Sequence, residues 1–244
     1  MDKRKQSGFG ELVRTVIYAV LIALFVRTVA YEPFSIPSGS MIPTLLVGDY
    51  LFVSKFSYGY SRYSLPLGLP LFSGRIFAAE PERGDVAVFK LPADNSTDYI
   101  KRIVGLPGDR IQMIGGILNI NGEPVQRIAD GEFTMRDGFG SLRRYQKYVE
   151  VLPNGVRHNI IEMTDDGPLD NTPVYTVPPD HYFALGDNRD SSRDSRFLGE
   201  VGYIPFVNLV GPAQIIFFSV DGRIWKVWQW YRTLRMERFF KSIE

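Results

Sequence analysis

The chain has 244 residues, a formal net charge of +1, and 45% hydrophobic against 23% charged residues. This is enough for one large domain or two small ones, and unlike a disordered tail or a repeat array. So even a charge balance argues against general nucleic-acid binding, which shows as a basic excess, and leaves room only for a local basic patch. Zero cysteines exclude disulfide scaffolds, thiolate nucleophiles, Cys-ligated zinc and iron–sulfur clusters together.

In chain order, the first element is an apolar stretch at 12–31 behind Lys3, Arg4 and Lys5. As a helix, that length spans about 30 Å, the thickness of a bilayer core. Arg14 and Arg27 interrupt it close to its ends, where a long stem reaches the headgroups. The rival reading is a cleavable secretory signal, cut after Thr28-Val29-Ala30. Against it, the A-x-A-like pair of small residues is missing and Arg27 sits where a cleavage region is uncharged. We read a retained anchor, with residues 1–11 as a basic cytoplasmic tail and the chain after Tyr31 carried across the membrane.

Beyond the anchor, short apolar runs separated by turn residues point to a mainly β, antiparallel fold. Strands are expected at 51–53, 86–89, 100–104, 117–120, 182–185 and 215–220. Asn121-Gly122 between two such runs predicts a type I′ hairpin, whose central residues both take positive φ. The polar stretch 113–180 reads as an elaboration on the core, giving a main domain at 32–221. The segment 58–79 is greasy for a loop, so it is either buried or in contact with lipid. From 222 to 244 there are six Lys/Arg, two Glu and six aromatics. That composition suits an interfacial helix on anionic lipid, with core packing of the tryptophans as the alternative.

Three constellations bear on chemistry. Phe34-Ser35-Ile36-Pro37-Ser38-Gly39-Ser40-Met41-Ile42-Pro43-Thr44 sets two hydroxyls two residues apart between prolines that fix φ, which can hold a serine beside an oxyanion donor. The bland reading is an ordinary Pro/Ser/Gly turn. A nucleophilic serine needs a base, and neither His158 nor His181 has a catalytic context, so lysine remains. In Tyr99-Ile100-Lys101-Arg102-Ile103-Val104-Gly105, strand alternation puts Lys101 and Arg102 on opposite faces, so one of two adjacent cations lies inward. A lysine base needs its pKa lowered by roughly 2 to 3 units, about 3 to 4 kcal/mol of desolvation; a snorkelling surface lysine is the alternative. Finally, Gly186-Asp187-Asn188-Arg189-Asp190-Ser191-Ser192-Arg193-Asp194-Ser195-Arg196 alternates acids and arginines. Its cancelling charge and offsets do not fit a calcium loop, and the pattern suits a lattice of Asp–Arg hydrogen bonds that positions a hydroxyl such as Ser192.

Taken together, these segments resemble the bacterial type I signal peptidases, membrane-anchored Ser-Lys endopeptidases. Pro37-Ser38-Gly39-Ser40-Met41-Ile42-Pro43-Thr44-Leu45 with Gly48-Asp49 resembles the family's nucleophile box, and Arg83-Gly84-Asp85-Val86-Ala87-Val88-Phe89 its next strand box. Tyr99-Ile100-Lys101-Arg102 with Gly105-Leu106-Pro107-Gly108-Asp109 resembles the general-base box, and Gly186-Asp187-Asn188-Arg189-Asp190-Ser191-Ser192 through Gly199 the last, all in the family's order.

The resemblance implies Ser40 as nucleophile, Lys101 as general base, Ser38 as oxyanion donor with the Ser40 N–H, and Ser192 orienting the Lys101 amine. It implies bracing by Asp187, Arg189, Asp194 and Arg196, and a substrate site from Phe34, Ile36, Met41, Leu45, Val88, Tyr99 and Ile100 that admits small side chains. It further implies a partly open antiparallel β core with a strand-rich insertion behind one transmembrane helix, resting on the outer face of the cell membrane. Its substrates would be the signal peptides of exported preproteins, cut after A-x-A-type sequences, with the bilayer and, indirectly, the export machinery as partners. Neither metal nor nucleotide is required. Two other readings are an inactive membrane-tethered scaffold and a regulatory or self-processing Ser-Lys protease of the same fold.

Overall fold

The first element in the computed structural model is helix α1, Gly8–Val29, none of whose residues is buried against the rest of the chain. The structure describes residues 8–65, 68–69, 71–136, 141–222 and 224–243, so the Lys3-Arg4-Lys5 tail lies outside the described residues. With 22 residues and a mean hydropathy of 2.0, α1 is long and apolar enough to cross a membrane. The apolar stretch is longer than the helix at its far end because Pro33 biases the residue before it to extended backbone. The chain accordingly enters strand β1, Tyr31–Ser35, almost at once.

Two short turns later the main sheet resumes with β2, Asp49–Ser54. The paired fragments β3, Tyr60–Ser61, and β4, Arg75–Ile76, follow beside it. Strands β5, Val86–Lys90, and β6, Asp98–Gly105, are next in the chain. The insertion supplies β7, Arg110–Ile114, β8, Ile117–Ile120, and β9, Glu123–Pro124. It continues with β10, Gln126–Arg136, β11, Leu142–Val151, β12, Arg157–Glu162, and β13, Tyr175–Thr176. The chain returns to the main sheet through β14, His181–Leu185, β15, Ile204–Pro205, and β16, Leu209–Ser219, and ends on β17, Lys241–Ser242.

The main sheet is antiparallel, in the order β1-β2-β16-β5-β6-β14-β15, with β17 added to β16. Strand β16 curls it. Its first half pairs with β5 and its second half with β2, with register shifts at 209/211, 213/215 and 216/218. Each shift is an extra residue that bends the strand and sharpens its twist, so the sheet closes towards a half-barrel. Both faces of β5 are covered: Val86 and Val88 enter one cluster with Ile36, Met41, Leu45, Leu51 and Val53, while Ala87 and Phe89 enter another with Ile103, Tyr182 and Leu209. A strand buried on both faces reads as an unbroken apolar run rather than an alternation.

The insertion is strand-rich, as expected. β13-β7-β8-β9 form one sheet and β10-β11-β12 a second. Asn121 and Gly122 carry φ of 58° and 89° in the β8–β9 turn, the two positive values a type I′ turn requires. In the greasy segment 58–79 the burial reading holds for Tyr58 and Tyr63, whereas Leu71 and Phe77 are exposed. Among the described residues of the C-terminal segment there is no long helix. Helix α2, Trp230–Thr233, is one turn. Around it Arg238 binds the buried Asp49 through Nη2 at 2.5 Å and Nε at 3.0 Å, and Trp230 packs on Phe218, while Trp225 and Trp228 are exposed.

Candidate active site

The turn after β1 carries Ser40, and the fold holds it from both sides. Ile36 N–H donates to Asp49 O at 2.9 Å and Gly48 N–H to Ile36 O at 3.0 Å, tying the turn to the start of β2. From across the molecule, Asn188 N–H donates to Ser40 O at 3.1 Å and Asn188 Nδ2 to Gly39 O at 3.0 Å. Gly186 makes this approach feasible. A Cβ there would lie 2.5 Å from Ser40 O and 2.2 Å from Ser192 Oγ, so only glycine lets the two serine-bearing segments meet.

On β6, alternation separates Lys101 from Arg102, but the sheet is covered on both faces and both cations are buried. Lys101 Nζ lies 2.7 Å from Ser40 Oγ and donates to Ile100 O at 2.9 Å. Burial pushes its amine down to about 8, against the upward pull of the Asp194 and Asp187 carboxylates. Ser38 Oγ is 3.4 Å from Ser40 Oγ and exposed to the cleft. Ser192 is buried against Gly186, and Lys101 contacts Ser40 and Ile100 rather than the Ser192 hydroxyl.

Behind the pair lies a buried ionic brace. Arg102 grips Asp187 with two bonds of 2.9 Å, from Nε and Nη2, and donates through Nη1 to Gly84 O at 2.7 Å. Thr44 Oγ1 donates to the same carboxylate at 2.5 Å. Burial alone would raise the Asp187 carboxyl; the Arg102 guanidinium outweighs it and holds the group below its ordinary value. Asp194 binds Arg196 through two bonds of 2.9 Å, and Arg196 Nη2 reaches Arg189 O at 2.6 Å. The loop is therefore only partly the self-contained lattice its alternation suggests. Asp187 and Arg189 reach outward, Arg189 to Glu150 at 2.5 Å.

Four groups in this corner carried no role in the sequence reading: Arg102, Thr44, Glu150 and His158. His158 Nε2 lies 3.2 Å from Glu150 Oε2, and burial together with Arg102 lowers the imidazole below its ordinary value. A charged residue inside the apolar run Val149-Glu150-Val151-Leu152 is the one local sign that β11 takes part. His181 instead sits on the surface side of β14, with Nδ1 2.7 Å from Pro179 O.

A cleft of about 600 Å³ opens over Ser40 and Lys101. Of the seven residues expected to bind substrate, Phe34, Ile36, Val88, Tyr99 and Ile100 line it. Met41 and Leu45 lie fully buried beneath it in the half-barrel core. The cleft adds residues absent from that set, among them Met135, Tyr145, Asn188, Ser191 and Arg193. The arrangement offers a hydroxyl, an amine able to lose its proton near neutral pH, and apolar walls, which are the parts of acyl transfer by a serine.

Comparison with known proteins agrees. The family model for signal peptidase, peptidase S26, matches residues 9–218. Signal peptidase I of Rickettsia canadensis (strain McKiel) is 42% identical over 249 residues, covering 94% of this chain and 92% of the relative. That of Rickettsia prowazekii (strain Madrid E) is 41% identical over 261 residues, covering 99% and 95%. A solved signal peptidase I from Enterococcus faecalis V583 overlaps with a TM-score of 0.33 at 22% identity, covering 55% of this chain and 97% of that one, too loosely to support any point of geometry. The chain belongs to the bacterial type I signal peptidases, serine endopeptidases of family S26 that cleave signal peptides.

Proposed function

We propose that Ser40 is the nucleophile and Lys101 the general base of a Ser-Lys dyad that cuts preproteins after Ala-x-Ala-type sequences. The observation that carries this reading is the 2.7 Å approach of Lys101 Nζ to Ser40 Oγ, with an amine lowered to about 8. With Lys101 neutral, Ser40 Oγ attacks the carbonyl carbon of the residue before the cut as its proton passes to Nζ. The oxyanion is met by the Ser40 N–H and the Ser38 hydroxyl. Lys101 then gives the proton to the departing amine as the C–N bond breaks, leaving an acyl-Ser40 ester. Water, deprotonated by Lys101, attacks that ester and restores the serine. The corner of Asp187, Arg189, Asp194 and Arg196 positions this pair, with Ser192 packed beside it against Gly186. Phe34, Ile36, Val88, Tyr99 and Ile100 narrow the cleft so that only small side chains fit beside it.

The same reading places the protein in the bacterial cell membrane as a single-pass protein, N-terminus cytoplasmic and catalytic domain outside. Lys3, Arg4 and Lys5 before α1 support that orientation. Exposed Trp225 and Trp228 support contact of the C-terminal segment with the phospholipid surface, and delivery of preproteins by the export machinery follows from the substrate. The test is cleavage of an Ala-x-Ala preprotein by the detergent-solubilised chain. Ser40→Ala and Lys101→Ala are expected to abolish turnover with folding intact. Lys101→Arg fails as well, because a guanidinium keeps its proton. Substantial turnover by purified Ser40→Ala would overturn the assignment and return the scaffold reading or another nucleophile.

A further inference from the structure

The cleft has two walls of different origin. Phe34, Val88 and Ile100 belong to the half-barrel, whereas Met135 and Tyr145 belong to the β10–β11 ribbon of the insertion. Phe133 and Tyr145 are register partners, so their side chains leave the ribbon on the same side, and the two-residue step to Met135 keeps it there. That side packs on Ile42, Leu46 and Ile161. The ribbon is thus anchored to the turn just past Ser40.

The direction in which a substrate lies follows from the anchor. Residues 34 to 40 line the cleft without a break. At the start of this strip, Phe34 also lines a neighbouring cavity of about 780 Å³ with Leu24, Arg27 and Thr28 at the end of α1. A signal peptide whose apolar stretch stays in the bilayer enters from that end. Its upstream residues then lie towards Phe34, and the chain beyond the scissile bond runs past Ser40 towards the ribbon, Asn188, Ser191 and Arg193.

We propose that Met135 and Tyr145 form a subsite for the first residues of the mature protein, on the leaving-group side of the cut, and favour apolar side chains there. This rests on the Ser40–Lys101 reading above. The ribbon fixes the departing amine in line for the proton that Lys101 returns, so its effect falls on substrates that possess downstream residues.

The experiment compares two substrates sharing one Ala-x-Ala upstream sequence. One continues past the cut with two apolar residues and a short tail. The other ends at the cut in a small chromogenic amide. Met135→Ala and Tyr145→Ala are expected to lower kcat/KM on the extended peptide by about tenfold or more, the size of effect seen when an anchor side chain at an interface is truncated. On the amide both variants stay within about twofold of wild type, since the lost contacts are absent there. Replacing the two downstream apolar residues by serine slows the wild type similarly and adds little in the variants. Equal loss on both substrates would show that the ribbon only supports the Ser40 turn, and no loss on either would place the subsite elsewhere; each result overturns the proposal. Met135→Ala, at a half-buried position, carries the test if Tyr145→Ala does not fold. Failure of the wild type on both substrates, or undiminished cleavage by Ser40→Ala, would instead strike the dyad itself.

Discussion

Lys101 and Arg102 are consecutive buried cations on one strand, and the molecule treats their two surroundings in opposite ways. On the cleft side, Lys101 meets a hydroxyl and a carbonyl oxygen, and desolvation outweighs the distant carboxylates. On the far side, Arg102 is held by both oxygens of Asp187, by Gly84 O and by the Thr44 hydroxyl. Similar burial therefore has two outcomes: a lowered amine at Lys101, where desolvation prevails, and a strut at Arg102, which a carboxylate grips with both oxygens.

Removing the strut's partner tests this contrast most severely. Asp187→Ala leaves Arg102 buried without its counter-ion and is expected to cost about 3 to 5 kcal/mol, read as a drop in thermal unfolding midpoint. A midpoint close to wild type would show that the pair is not what holds this corner. On the cleft side the sign reverses. Lys101 falls from 10.5 to about 8. At about 1.4 kcal/mol per unit, the fold carries roughly 3 kcal/mol of cost for this amine at neutral pH. The unfolded chain holds the proton more tightly, so stability rises with pH between about 8 and 10.5 and is insensitive to this group below that window. Lys101→Met is therefore expected to be inactive yet more stable than wild type at pH 7, with the gain fading as pH passes 10. Denaturant midpoints at pH 7 and above 10 check this, and a less stable Lys101→Met at pH 7 contradicts it.

Smaller effects sharpen the boundary between the two sides. Gly186→Ala forces a methyl against Ser40 O and Ser192 Oγ. An overpacking cost of about 1 to 3 kcal/mol is expected, together with a fall in kcat measured on the folded protein. At the rim, Arg193 and Glu200 form an ion pair of 3.0 Å whose side chains are 72% and 47% exposed. Breaking it with Glu200→Ala should change the unfolding free energy by less than about 0.5 kcal/mol.

What the sequence made legible follows from how local each feature is. β5 could be read because both its faces are apolar, and Ser40, Lys101 and the 186–196 loop could be singled out because each lies in a short segment that resembles a family box, although each segment by itself also suited a plain turn, a surface lysine or a polar loop. Glu150 and His158 face each other across the β11–β12 pairing, but neither was legible as a partner of Arg189, which lies 39 residues after Glu150 in the 186–196 loop, because a lone charge carries no address. Met41 and Leu45 show the opposite limit. Being apolar and next to the nucleophile, they suit a pocket wall as well as a core, and only the curl of the sheet puts them underneath. The C-terminal run forms no long helix among the described residues, for a similar reason. A cation that complements a lipid phosphate complements a buried carboxylate equally, and Arg238 is claimed by Asp49.

The most direct test of the central claim is the pH dependence of kcat/KM for an Ala-x-Ala peptide, measured on wild type with Lys101→Ala as control. The rate should rise about tenfold per pH unit on an acid limb that levels near pH 8, where the Lys101 amine loses its proton, and should vanish in the variant. A limb near pH 10, or the same limb surviving in Lys101→Ala, would show that the buried lysine is not the base.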